Sequence, residues 1–221
     1  EEIGTGADAM IDDGLYERFG TPTVALGQHV VPSPAGSVLH RSGPIMAASD
    51  AMKITLHGHG GHGSAPHTTV DPVVMAASTV MKLQTIVSRD IDPGATAVVT
   101  VGTVHAGTKE NIISDRAELT LSVRTFEPEV RDRVLADIER IAEGEAASYG
   151  APQPPEFDTM YSFPATENDP TATDLVAAAF DEHFGPQRSM QAPMATGSED
   201  FGMFGRRGGY PSVFWFVGGT D

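Results

Sequence analysis

The 221 residues contain no cysteine, which excludes disulfides, thiolate metal ligands and a thiol nucleophile among them. Cationic residues are few. Fourteen Lys and Arg stand against thirty Asp and Glu, a formal net charge of −16. Nucleic acid and anionic membrane both require a basic footprint, so neither is expected as a partner. No apolar run approaches the ~20 residues that span a bilayer. No signal peptide is visible either, yet the first residue is Glu1 and the chain stops soon after the apolar run Val213 to Val217. Both ends read as cuts through a larger protein, so missing targeting signals carry little weight. The expected location is the cytoplasm. With 40% hydrophobic and 20% charged residues the composition is that of a folded globular protein. Its length suits one large domain or two small ones.

Against these absences stands one enrichment. Residues 57–67 read His-Gly-His-Gly-Gly-His-Gly-Ser-Ala-Pro-His and hold four of the eight histidines. Glycine opens backbone angles closed to other residues and lets a ligand approach the main chain. Histidine suits metal ligation and proton transfer near neutral pH. Composition leaves two readings open, a flexible polar loop and a binding surface, and four histidines on one loop favour the surface. Capture of a metal by this loop alone is disfavoured. Its glycines make it floppy, and ordering it would cost conformational entropy.

Along the chain, Thr23 to Val31 reads as a strand, apolar except for Gln28 and His29. So continuous a run suits a strand covered on both faces. His29 sits near its carboxyl end, where ligand sites gather in open α/β sheets. From about Asp50 the pattern changes. Met52, Ile54 and Leu56 alternate with Lys53, Thr55 and His57, the period of a half-buried strand. Asp71 and Pro72 supply an N-cap and first turn. Val73, Ala76, Ala77, Val80, Leu83 and Val87 then form one helical stripe. Ala97 to Val104 is a β-branched strand. Ala117, Leu119, Leu121 and Val123 alternate strictly with Glu118, Thr120, Ser122 and Arg124. Glu127, Pro128 and Glu129 open a second helix with stripe Val130, Val134, Ile138 and Ile141, its acids placed where the helix dipole favours them. Gly150 ends it, and a last strand falls in Glu156 to Phe163.

The order strand-helix-strand-strand-helix-strand is the ferredoxin-like βαββαβ unit. Its two helices cover one sheet face. His57 and Arg124 are expected on the other, a natural surface for a partner subunit. After Phe163 a helix runs from Pro170 to the stop at Gly185 and Pro186. A polar loop and a buried strand, Ser212 to Val217, follow. The expected architecture is α/β: a partial α/β domain, 1–49 and 164–221, carrying an inserted domain at 50–163.

Five short patterns occur in order: Glu1-Glu2-Ile3-Gly4-Thr5-Gly6-Ala7-Asp8; Gly27-Gln28-His29; Gly61-His62-Gly63-Ser64-Ala65-Pro66-His67; Asn111 to Asp115 leading to Arg124; and Gly197-Ser198-Glu199-Asp200-Phe201. Together they resemble the M20 family of metallopeptidases, most of all its amidohydrolase branch of hippurate, N-acyl-amino-acid and auxin-conjugate hydrolases. The resemblance implies a metallopeptidase catalytic domain with an inserted lid/dimerisation domain, and two divalent ions, zinc or manganese. It implies Glu1 as general base, with Glu2 and His29 as metal ligands, Gln28 replacing the usual Leu. His62 would reach from the lid of one subunit into the partner's site and polarise the scissile carbonyl. Asn111 and Arg124 would hold the substrate's carboxylate or nearby oxygens, for which an arginine fork is suited. Glu199 and Asp200 would support the site without ligating. His67 recurs in this branch and receives no role.

The implied reaction is metal-dependent hydrolysis of the amide bond of N-acyl amino acids or related small amides, in a homodimer paired through the lid. The family places further ligands upstream, in a segment with His, Asp and Cys, and another histidine downstream, and none has a counterpart here. At most Glu2 and His29 remain, so the expectation is that the parent protein is the hydrolase, while these 221 residues alone bind little or no metal and are inactive. Two other readings remain: a dipeptidase or deacylase of another M20 branch, and a non-catalytic ferredoxin-like dimerisation module.

Overall fold

A computed structural model describes residues 6–220. The chain starts with two short helices, α1 (Gly6–Asp12) and α2 (Leu15–Phe19). Gly14 joins them at φ 85°, an angle that glycine adopts without strain. Three strands follow, β1 (Ala25–Pro34), β2 (Val38–His40) and β3 (Gly43–Met46). The chain then enters the inserted region through β4 (Ala48–His57), which leads to the two-residue β5 (Gly61–His62) and a 3-10 turn at Pro66–Thr68. Helix α3 (Pro72–Thr85) opens as the sequence predicts, with the Asp71 side chain accepting the Val73 N–H. It runs into a π turn at Ile86–Asp90. Strands β6 (Ala97–Ala106), β7 (Ile112–Ile113) and β8 (Arg116–Thr125), helix α4 (Pro128–Tyr149) and strand β9 (Glu156–Phe163) complete the insert. Gly150 caps α4 in the left-handed conformation. Last come β10 (Thr166–Asn168), α5 (Pro170–Phe184), β11 (Ser189–Gln191), α6 (Gly202–Gly208) and β12 (Ser212–Thr220).

These elements form two compact units. One comprises the chain up to Ala48 together with the residues from Phe163 on, and the other Ser49–Ser162. In the first, a four-stranded mixed sheet has the order β1-β12-β2-β11, with β1 parallel to β12 and β12 antiparallel to β2. The pair β3–β10 stands beside it. Ile45, Met46, Ala192, Phe214 and Phe216 form its core. Strand β1 departs from the expectation of burial on both faces. Among the described residues it pairs only with β12, and Leu26 and Val30 are 52% and 63% exposed.

In the second unit the sheet order is β6-β8-β4-β9, the ferredoxin-like arrangement. Met52, Ile54 and Leu56 of β4 and Ala117, Leu119, Leu121 and Val123 of β8 pack against Met75, Leu83, Val134, Ile138 and Ile141 of the helices. The α/β fold with an inserted βαββαβ unit is therefore the one found. The stripe of α3 is rotated from its expected position. Pro72, Met75, Ala76, Thr79 and Leu83 face the core, while Val73 and Val87 point outward. A helix with apolar residues on two faces can bury either, and the sheet decides which. No helix among the described residues is long and apolar enough to cross a membrane.

Candidate active site

The histidine loop is closely packed rather than floppy. A Cβ on Gly58 would come within 2.4 Å of the Val70 carbonyl oxygen. On Gly60 it would lie 2.7 Å from the Ile113 carbonyl oxygen, and on Gly61 2.7 Å from the Thr69 methyl. The glycines let the loop's main chain lie against its neighbours, and the main chain then bonds there. His59 and Val70 exchange N–H···O bonds of 2.9 and 3.0 Å, Gly58 N–H donates to Asp115 at 2.8 Å and Gly63 N–H to Asn111 at 2.8 Å. Loop order thus comes from backbone pairing, a contribution that composition does not show.

This pairing fixes His62. It lies on β5 opposite Ile112 of β7, and Gly63 bonds the carbonyl of Asn111, which ends the turn just before β7, so His62 and Asn111 stand close together. Both are exposed. The Ser64 backbone N–H donates to His62 Nδ1 at 3.2 Å, and the Ser64 hydroxyl lies 2.7 Å from the same nitrogen. His57 Nε2 is 3.2 Å from Glu156 Oε1. His67 sits exposed in the 3-10 turn.

Arg124 is far from this end. It is half-buried and leaves β8 on the face opposite the core, as His57 leaves β4, because Val123 and Leu56 just before them enter the core. At ~3.3 Å per residue, Arg124 lies roughly 26 Å along β8 from Arg116. The histidine loop joins the Arg116 end, where Gly58 bonds Asp115. His62 and Asn111 are thus together, and Arg124 is roughly 20 Å or more away. A cleft of about 780 Å³ at the loop end is lined by His57, His105, Asp115, Arg116 and Glu118, and by neither His62 nor Arg124.

In the other unit His29 is exposed on β1, in register with Phe216 of β12. Glu1 and Glu2 lie outside the described residues. Glu199 folds back on its own turn, its Oε1 accepting the N–H groups of Asp200 at 2.9 Å and Phe201 at 3.3 Å. Burial, and then a hydrogen bond with the Asp200 carboxyl, push the Glu199 pKa above its ordinary value. Asp200 Oδ2 accepts the Ala7 N–H at 2.8 Å, at the start of α1. Phe201 lies flat against Gly27, where a Cβ would be 2.7 Å from the ring. One turn therefore touches both α1 and the strand that carries His29. Sequence reasoning gave Gly27, Ser64 and Phe201 no role. The only signal for them was their place inside the quoted patterns.

Among the described residues no group of three or more His, Asp or Glu stands close enough to hold a metal ion. Of the implied ligands, only His29 is described, and one imidazole does not make up a metal site.

Comparison with known proteins adds three findings. The family model described as a peptidase dimerisation domain, that of M20, matches residues 48–150. The chain is 35% identical to N-acetylcysteine deacetylase of Bacillus subtilis, covering 100% of this chain and 57% of that protein. It is 37% identical to hippurate hydrolase of Campylobacter jejuni, covering 92% and 53%, and 36% identical to thermostable carboxypeptidase 2 of Saccharolobus solfataricus, covering 96% and 52%. It thus spans about half the length of the curated relatives it matches. The crystal structure of the Bacillus subtilis YXEP protein, described as a dinuclear metal binding peptidase from the M20 family, superposes with a TM-score of 0.74 at 31% identity, covering 99% of this chain and 53% of that one.

Proposed function

Since the chain belongs to the M20 peptidase family, we propose that the protein is a metal-dependent amidohydrolase. It cleaves the amide bond of small N-acyl amino acids or related amides, and it works as a homodimer paired through residues 49–162. Two divalent ions, zinc or manganese, would supply a bound water of lowered pKa. Glu2 and His29 are two of their proposed ligands, and Glu1 is the proposed general base. His62 donates a hydrogen bond to the scissile carbonyl oxygen, where negative charge develops. Asn111 and Arg124 hold the substrate's carboxylate end. The cytoplasm is the proposed location.

The observation that carries this reading is the spread of the proposed substrate groups over one unit. His62 and Asn111 share one end of the sheet and Arg124 occupies the other, a span of roughly 20 Å or more. No small acyl amino acid bridges that distance. Two copies related by a two-fold axis can bring the His62 end of one to the Arg124 end of the other. Exposed apolar side chains support pairing through α3 and the edge strand β6, in place of the open sheet face expected from the sequence. Val73, Val74 and Met81 are 49%, 50% and 70% exposed on the helix, and Val98 and Val104 are exposed on the strand.

The test is release of the amine from N-benzoylglycine, N-acetylcysteine and a dipeptide panel by the whole protein, before and after chelation. Hydrolysis of acyl amino acids, lost on chelation and regained with Zn²⁺ or Mn²⁺, is the expected result. Cleavage of dipeptides alone would favour the peptidase branch, to which the carboxypeptidase relative points. Undiminished hydrolysis in both His62→Ala and Arg124→Ala would leave residues 49–162 as a dimerisation module only. Residues 1–221 by themselves are expected to hydrolyse none of these.

A further inference from the structure

We propose that Ser64 is a positioning residue that holds His62 as the Nε2–H tautomer, so that the ring can only donate toward substrate. The inference rests on the proposed role of His62 and adds to it the state of the ring.

A backbone N–H can only donate. The Ser64 N–H points at His62 Nδ1 at 3.2 Å, so Nδ1 carries a lone pair and no proton. The Ser64 hydroxyl, 2.7 Å from the same nitrogen, then serves as the second and shorter donor. In a neutral imidazole one nitrogen donates and the other accepts, so the proton sits on Nε2. His62 Nε2 makes no hydrogen bond among the described residues, and the side chain is exposed. The backbone around the ring is fixed from both sides. His62 pairs with Ile112 across β5–β7, and its carbonyl accepts the Ala65 N–H at 2.9 Å. The turn that carries Ser64 is pinned further by Thr68, whose N–H and hydroxyl both donate to the Ala65 carbonyl. The result is a ring whose inner nitrogen is occupied by two donors and whose outer nitrogen presents a proton. Such a ring stabilises a developing oxyanion by donation. A proton at Nδ1 would break the bond from the Ser64 N–H and force the Ser64 hydroxyl to turn from donor to acceptor.

The experiment is ¹⁵N NMR of the histidine rings in the whole protein at neutral pH, with His62→Gln identifying the His62 resonances. The expected spectrum has His62 Nδ1 unprotonated and hydrogen-bonded and Nε2 protonated. In Ser64→Ala the Nδ1 resonance should move toward that of an unbonded ring nitrogen, and in Ser64→Thr it should stay. In hydrolysis of N-benzoylglycine, Ser64→Ala should lower kcat about three- to tenfold with KM nearly unchanged, the size of one lost hydrogen bond. Ser64→Thr should restore it. A proton on Nδ1 in the wild type, or a Ser64→Ala spectrum identical to wild type, overturns the proposal. So does an unchanged kcat in Ser64→Ala where His62→Ala abolishes turnover. If His62→Ala itself leaves turnover intact, the role given to His62 fails, and the ring spectra still decide the tautomer.

Discussion

At the scale of single residues, the buried acids of α4 carry a testable pH dependence. Glu145 is buried against α3, where Lys82 Nζ lies 2.6 Å from its carboxylate and the Ser78 hydroxyl donates to it. The Lys82 bond, and then the Ser78 bond, hold its carboxyl below the ordinary range against the opposing effect of burial. Asp137 behaves alike. Burial would raise its pKa, but hydrogen bonds from Arg140 and Arg133 outweigh that and lower it. A carboxyl depressed in the fold adds stability that is present above its unfolded pKa, near ~4, and is lost as pH falls through its folded value. Chemical denaturation should therefore show the unit of residues 49–162 weakening below about pH 4. Glu145→Gln should cost about 1–3 kcal/mol at pH 7, where a charged hydrogen bond is lost, and much less at pH 3. A penalty independent of pH would refute the assignment. Glu199 has the opposite sign. Its carboxyl is raised by burial and by Asp200, so its favourable contribution is complete below the unfolded value and fades as pH rises through the folded one. Glu199→Gln is expected to leave stability at pH 7 unchanged or increased, because an amide oxygen can still accept the Asp200 and Phe201 N–H groups. Thermal melts at pH 5 and pH 8 check this.

At the scale of elements, the parts legible in the sequence are those with a strong local signal. Asp71 before Pro72, Glu127 before Pro128 and Gly150 mark helix ends through chemistry confined to a few residues. Alternation along Arg116–Thr125 declares a strand with one core face. What was not legible depends on partners distant in sequence. The three-residue strands β2, β10 and β11 have too few residues to show a period, and they exist because Val38, Thr166 and Ser189 find ladders elsewhere. The face of α3 that enters the core is chosen by the sheet. The glycines of residues 57–67 looked like freedom and turn out to be close packing. That last difference predicts opposite outcomes for one kind of substitution. Gly60→Ala must place a Cβ 2.7 Å from the Ile113 carbonyl oxygen and should destabilise the unit by about 1–3 kcal/mol, the usual size of overpacking. Gly144→Ala, inside α4 with nothing within 4 Å of its Cβ, should stabilise by about 0.5–1 kcal/mol. Comparing the two variants with wild type by thermal denaturation tests both. A loop that tolerates Gly60→Ala without loss would be as loose as its composition first suggested.

At the scale of the whole molecule, the candidate site was half legible. The residue types in the five patterns and the length of β8 could be read from the sequence, but the distance between Arg124 and His62 could not, because it depends on the histidine loop pairing at the Asp115 end of that strand. That distance turns the proposed dimer into a quantitative prediction. His62→Ala and Arg124→Ala should each be inactive alone. If His62 serves the partner's substrate and Arg124 its own, a mixed dimer of the two variants contains one site with both residues intact and one with neither. Random reassortment makes half of the dimers mixed, so an equimolar mixture, dissociated and reassembled, should recover about a quarter of wild-type hydrolysis in a two-fold dimer. Were both residues to act on the same subunit's substrate, every site would lack one of them and nothing would be recovered. Introducing Asp at Met81, on the exposed apolar face of α3, should weaken pairing and reduce wild-type hydrolysis in proportion to the dimer lost, as followed by sedimentation. Recovery near a quarter with loss on dissociation places the shared site across the two copies. Full activity in a Met81→Asp monomer would place every needed group within one.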